Sequence, residues 1–314
     1  MVLSDVENAL RIIRFENPER VMASVPGYDL SFHDSYDYPF RMGEPAPPFE
    51  VGQSRKNIWG VVTHKYTDRP GGTDSMPSIE SVSDLETFPW PDPDDERICG
   101  AIYEKDAAFP GGDLWKSGGH GCLIWEIAYK MVGMQQLMEY VYTEPNFVKE
   151  LFHRIVDFHL GIAKHYEKAG VTSVGFSDDL STQRGPFFSP DIMREFFLPE
   201  YKRIFDFYRE RNVIIGQHCD GDVLPLIDFF VDAGLNILNP VQVTANDLEA
   251  VRARTQGKIC LHGGISNITV SEGPVERIER EVWRHIWILG KQGGYFCCID
   301  HSMPKSHEHY EAYL

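Results

Sequence analysis

The stretch V-I-I-G-Q-H-C-D-G-D at positions 213–222 decides how this chain is read. Val213, Ile214, Ile215 and Gly216 form a short apolar run, the pattern of a strand buried on both faces of a parallel sheet. The run stops at His218, Cys219 and Asp220, and Gly221 leads into a new amphipathic segment. In parallel α/β folds the carboxyl ends of the strands carry the site, so polar, ligating residues at that point have chemical meaning.

Working outward, the same unit recurs. Val171 to Phe176, Val213 to Ile215, Leu235 to Leu238, Ile259 to Leu261 and Tyr295 to Ile299 are candidate strands. Helical segments lie between them: one opened by Ser189-Pro190, then Val223 to Ala233, Asp247 to Thr255 and Pro274 to Leu289, the last three followed by Gly234, Gly257 and Gly290. Alternation of strand and helix predicts a parallel sheet covered by helices, with a closed (β/α)8 TIM barrel as the leading architecture. An open doubly wound sheet is the alternative, though no G-x-G-x-x-G follows any strand.

Toward the N-terminus, Ser4-x-x-Glu7 has the form of a capping box and leads an amphipathic run through Leu10, Ile13 and Phe15. Pro39 to Pro93 interleaves prolines with Trp59, Phe88 and Trp90, which predicts an irregular, packed collar without long helices or central strands. Gly118-Gly119-His120-Gly121 reads as a turn, followed by helical spacing over Ile124 to Tyr142 and a second helix from Pro145 to Gly170. His153, His159 and His165 on that helix are six residues apart. Six residues turn a helix by about 600°, so consecutive rings point about 120° apart and do not converge on one ion. The whole reads as one domain over 1–314, with helix and collar over 1–105 and regular units over 106–314.

A net charge of −17 without a basic patch argues against nucleic-acid and anionic-membrane partners. Asp5 and Glu7 interrupt the first apolar stretch, which therefore reads as neither signal peptide nor membrane span. Six scattered cysteines, two of them adjacent at 297 and 298, do not form a secreted disulfide pattern, so a reducing cytoplasm is expected. Oligomeric state stays open, with a homodimer as one candidate.

Each strand end offers polar groups: Asp178 and Asp179, then His218, Cys219 and Asp220, then Asn239 and Gln242, then His262, and finally Cys297, Cys298, Asp300 and His301. Singly, an aspartate there serves as a cap and a histidine as a satisfied core residue. Delivered to one mouth, they make a candidate site.

The stretches G-V-T-S-V-G-F-S-D-D-L (170–180), H-C-D-G-D (218–222), A-G-L-N-I-L-N-P-V-Q (233–242), H-G-G-I-S (262–266) and D-H-S-M-P (300–304) resemble the uroporphyrinogen decarboxylase superfamily, which includes zinc- and corrinoid-dependent methyltransferases. The resemblance spans roughly residues 110–310 and implies a distorted TIM barrel with its site at the carboxyl-terminal mouth. In the methyltransferase branch it implies a zinc held by a His-x-Cys pair and a later Cys. Those positions are here His218, Asp220 and His301, with Cys219, Cys297 and Cys298 as alternates. Asp179 would join His301 and Tyr129 as catalytic groups, while Asp178, Gln242, Asn239 and His262 would contact substrate. The implied reaction is methyl transfer or demethylation of a small methylated compound, linked to a corrinoid on a partner protein.

The decarboxylase branch is the alternative. It implies a metal-free lyase in which His301 and Tyr129, four residues before Gly133, flank a tetrapyrrole. The family's arginine segment lacks its glycine here, where Arg11 to Arg20 reads R-I-I-R-F-E-N-P-E-R, and the catalytic Asp has no counterpart. A non-catalytic tetrapyrrole- or corrinoid-binding protein is the third reading.

Overall fold

Seven strands run parallel and follow one another around the sheet in chain order: β1 (Gly27–Asp29), β2 (Trp115–Cys122), β3 (Ser173–Ser177), β4 (Ile214–His218), β5 (Ile237–Val241), β6 (Cys260–Ile265) and β7 (Tyr295–Ile299). The computed structural model describes residues 2–37, 41–45, 47–69, 72–302 and 306–313. Pro39, Pro70, Met303 and Pro304, all used in reading the sequence, lie outside the described residues. A doubly wound sheet reverses its strand order at a switch point; this one does not. The sheet curls instead, and the segment before β1 spans the gap to β7: Cys297 N–H donates to the Met22 carbonyl at 2.9 Å and Gly294 N–H to that of Ile12 at 3.0 Å. The architecture is a TIM-type barrel with seven strands among the described residues where eight were expected.

The run at 213–222 does what its pattern predicts. β4 is paired on both edges, by Val174 to Ile215 and Ile237 to Gly216 among other pairs, and Ile215 is fully buried. Helices follow the strands: α1 (Asp5–Arg14) opens the chain, α2 (Trp125–Val132), α3 (Met134–Thr143) and α4 (Pro145–Ala169) follow β2, and α5 (Leu198–Arg209) follows β3. Further helices at Ile227–Ala233, Leu248–Thr255 and Val275–His285 separate the later strands. No described helix is long and apolar enough to cross a membrane.

α1 is held as its sequence predicts, with the Ser4 hydroxyl accepting from Glu7 N–H at 3.2 Å. Its apolar face, Ala9, Ile12 and Ile13, closes the floor of the barrel against Trp115, Cys260 and Phe296, all buried. Burying Ile12, Ile13 and Phe296 contributes about 1.5–3 kcal/mol each, which fastens the floor and leaves the opposite end for chemistry.

Two local expectations are corrected. Gly118 to Gly121 is not a turn but the middle of β2. A Cβ on Gly118 would lie 2.8 Å from the Tyr166 ring and one on Gly119 would strike Ser31 Oγ, so the glycines permit close approach to the strand. The Ile124 to Tyr142 helix is two helices, broken at Gly133, whose φ of +95° the helical region does not allow.

The collar holds a small antiparallel sheet of Ser54–Lys56, Val62–Lys65 and Thr73–Met76. It is docked by the N–H groups of Ser78 and Ile79 on the Met131 carbonyl, at 2.9 and 2.8 Å, and by Trp59 against Phe158 at 4.9 Å. The three histidines of α4 go to separate partners. His153 meets Glu200 at 3.1 Å, His165 meets Tyr103 at 2.7 Å, and His159 meets His120 at 3.1 Å.

Candidate functional site

β3 ends in two consecutive aspartates with different fates. Asp178 is fully buried and caps α2: Oδ2 accepts from the N–H groups of Ile124 and Trp125, each at 2.9 Å, and from Tyr201 Oη–H at 3.1 Å, while Oδ1 accepts from Glu126 N–H at 2.9 Å. Burial pushes its pKa up to about 6 against the pull of those donors. Its lone pairs are spent on the helix, which leaves it no open face for the substrate contact expected of it. Asp179 is half-buried at the mouth, and its Oδ1 accepts from Asp220 N–H at 2.8 Å. Burial first, then the charges of Asp220 and Glu126, raise its pKa.

β4 delivers His218 and the loop carrying Asp220. His218 Nε2 stands 3.5 Å from Asp220 Oδ1 and 3.9 Å from Asp179 Oδ1. One ligating atom from each of Asp179, His218 and Asp220 falls within 4.8 Å of the others. His301, arriving after β7, places Nε2 2.9 Å from Asp220 Oδ2, so the two histidines straddle one carboxylate. Burial opposes charge on His301, but the hydrogen bond to Asp220 and the charges of Asp220 and Asp300 outweigh it and raise its pKa. Asp300 supports this arm, its oxygens accepting from Asn267 N–H at 2.9 Å and Val243 N–H at 3.3 Å.

β5 and β6 line the lumen behind His218. Asn239 Oδ1 is 3.0 Å from His218 Nδ1, Asn239 Nδ2 is 2.9 Å from His262 Nδ1, and His262 Nε2 is 3.1 Å from the Ala23 carbonyl. Desolvation by the lumen wall holds the His262 pKa down to about 4. A cavity of about 300 Å³ reaches from Trp115 to these three side chains. Gln242 Oε1 accepts from Gly221 N–H at 3.1 Å and from Gln183 Nε2–H at 2.6 Å, bracing the loop that holds Asp220.

The alternate sulfur ligands stand elsewhere. Cys219 is fully buried, its Sγ accepting from Leu180 N–H at 3.4 Å, and burial raises its pKa. Cys297 is also buried, with its thiol pushed up to about 11. Cys298 is half-buried. Tyr129 lies on α2 against Trp125, ring centroids 5.3 Å apart, and burial raises its pKa.

Sequence reasoning passed over Glu126 and Lys130. Glu126 Oε1 accepts from Asp179 N–H at 3.4 Å while Oε2 pairs with Lys130 Nζ at 3.0 Å. An i,i+4 Glu/Lys pair ordinarily marks a solvated helix face, so the pattern carried no signal of a site. Lys130 and Cys122 also line a second cavity of about 300 Å³ beneath the collar, closed by Phe32, Trp59, His120 and His159. His120 is stacked on Phe176 at 4.5 Å and hydrogen-bonded to Tyr208 Oη at 2.6 Å.

A metal fits the residues present. Oδ1 of Asp220 is shut off from solvent and has no hydrogen-bond partner among the described residues. It faces an imidazole nitrogen and a second carboxylate, a donor set suited to zinc or another borderline or hard divalent ion.

A scan against protein families matches uroporphyrinogen decarboxylase (URO-D) over residues 79–311. No curated protein sequence matches. Among solved structures, a methyltransferase from Methanosarcina mazei superposes with a TM-score of 0.67 at 15% identity, covering 99% of this chain and 97% of that one. A B12-independent methionine synthase from Shewanella sp. W3-18-1, in complex with selenomethionine, gives a TM-score of 0.39 at 10% identity over 76% of this chain and 65% of that one. The first likeness is one of fold and agrees with the curled parallel sheet. With the family match extending over more than half its length, the chain belongs to the uroporphyrinogen decarboxylase family and is a URO-D-like enzyme.

Proposed function

We propose that this enzyme removes or transfers a methyl group from a small methylated compound, assisted by a metal at Asp179, His218 and Asp220 and linked to a corrinoid carried by a partner protein. The single observation behind the metal is the convergence of those three ligating atoms within 4.8 Å around an Asp220 Oδ1 that has no hydrogen-bond partner among the described residues. This ligand set differs from the expected His218, Asp220 and His301, because His301 Nε2 is engaged by Asp220 Oδ2. A zinc ion held there would polarise a substrate heteroatom as a Lewis acid. One imidazole and two carboxylates are harder donors than the thiolate-rich set implied by the family resemblance, which favours oxygen over sulfur as the methylated atom.

The chain's own residues supply the rest. His301, its charge sustained by Asp220 and Asp300, holds a proton for the oxygen that loses the methyl group. Phe32 and Trp59 of the collar wall the second cavity, and Lys130 and Cys122 bring that cavity up to Glu126 and Asp179. A volume of about 300 Å³ suits a small compound, and among the described residues Lys130 is the only cation lining it, which disfavours an eight-carboxylate tetrapyrrole. The corrinoid partner rests on the family resemblance of the strand-end motifs.

Elemental analysis of protein purified without chelator is expected to find about one zinc per chain, and loss of methyl transfer from a methoxylated substrate on chelation should be reversed by zinc. Full activity in metal-free protein would end the ligand assignment. Carbon dioxide release from uroporphyrinogen would select the decarboxylase instead.

A further inference from the structure

We infer that Asn239 and His262 are positioning residues, not substrate contacts: with the Ala23 carbonyl they form a directional relay that fixes His218 with its proton on Nδ1 and a bare Nε2 facing Asp179 and Asp220. The inference rests on the metal reading for its purpose, but its geometry stands apart from it. A backbone carbonyl only accepts, so the His262 nitrogen 3.1 Å from Ala23 O carries a hydrogen. A neutral imidazole has one such hydrogen, and His262 Nδ1 is therefore an acceptor. The Asn239 atom facing it at 2.9 Å is accordingly the amide nitrogen. That leaves Asn239 Oδ1 toward His218 Nδ1 at 3.0 Å, where an oxygen accepts and the ring nitrogen donates.

In the neutral ring that metal binding requires, the far nitrogen of His218 is then a lone pair. It stands 3.5 Å from Asp220 Oδ1 and 3.9 Å from Asp179 Oδ1. Three acceptors turned toward one another repel unless a cation lies among them, and a metal-binding histidine is ordinarily held by a hydrogen bond from its other nitrogen. Run in the opposite sense, the relay would flip Asn239, put a second proton on His262 within the lumen wall, and make His218 Nε2 a donor to the carboxylates. Desolvation opposes that charge on His262. The first linker of the chain, through Ala23, thus sets the tautomer at the mouth.

Long-range proton–nitrogen NMR of protein labelled with nitrogen-15 histidine reads this directly. Zinc-loaded protein should show His218 protonated at Nδ1 only and His262 at Nε2 only. His218 protonated at Nε2, or His262 doubly protonated, would overturn the relay. Zinc affinity by chelator competition gives the second reading. Asn239→Leu and His262→Phe should each weaken it about tenfold to a hundredfold, while His262→Asn, which restores an acceptor near Nδ1, should recover most of the loss. Equal affinity in all three folded variants would sink the inference. If wild-type protein takes up no zinc, the metal reading fails, and the tautomers of the metal-free protein at alkaline pH still decide the relay.

Discussion

Asp178 and Asp179 are neighbours in the chain and opposites in the structure. The first is fully enclosed and accepts three backbone N–H groups and a tyrosine hydroxyl at the head of α2, and the second is half-buried, accepting Asp220 N–H at the mouth. Asp178→Ala strands three buried donors and one part-buried one, each buried donor costing about 1–3 kcal/mol unmade. It should lower unfolding free energy by about 3 kcal/mol or more in urea titrations. Asp179→Ala should stay within about 1 kcal/mol of wild type yet lose zinc and turnover.

Cys219 lies between two proposed ligands but is buried away from them, held by Leu180 N–H. Cys219→Ala should retain its zinc content and cost no more than about 2 kcal/mol. Loss of zinc with the fold intact would return the sulfur to the ligand set.

The buried pair of His120 and His159 makes stability sensitive to acid. Burial lowers His159 to about 3 and His120 well below its usual value. Above about pH 6.5 both rings are neutral in the folded and unfolded chain alike. Below it the unfolded chain binds protons that the native one refuses, so stability declines by up to about 1.4 kcal/mol per pH unit for each ring. For His159 the decline continues until pH nears 3. Melting temperature followed from about pH 7 to about pH 4 should fall less steeply in His159→Leu than in wild type.

Gly118→Ala tests close packing on β2. The new methyl group would press on the Tyr166 ring at 2.8 Å, and Gly118 has no positive φ to confuse the result. A cost of about 1–3 kcal/mol is expected, partly recovered by Tyr166→Leu in the double variant. An additive double variant would show that the ring is not what the glycine accommodates.

Strand placement was legible because period and punctuation are local: the apolar run at 213–215, the capping aspartate before Leu248 and the glycine after Ala233 each fall where the structure uses them. The gathering of Asp179, His218, Asp220 and His301 was legible once strand ends were assigned to one mouth. The division of labour among them was not. Whether an aspartate caps a helix or faces a cavity depends on which way the chain turns after the strand, and Asp178 and Asp179 read alike. Gly118 and Gly119 were misplaced because a glycine needed for a neighbour's ring has the same spelling as one needed for a turn. Glu126 and Lys130 gained their positions only when Asp178 anchored the head of α2 beneath the site.

The clasp of Ile12 and Met22 on Gly294 and Cys297 has a bearing on biogenesis. Emerging from a ribosome, α1 meets Trp115 early, but Cys260, Phe296 and the Gly294 clasp that complete the floor become available only when most of the chain has followed it. Contacts so distant along the chain form late and slow the search for the native state. In the interval the residues meant for the barrel floor are open to unwanted association, so yield in a cell should respond to chaperone supply more strongly than the finished enzyme's resistance to heat would suggest.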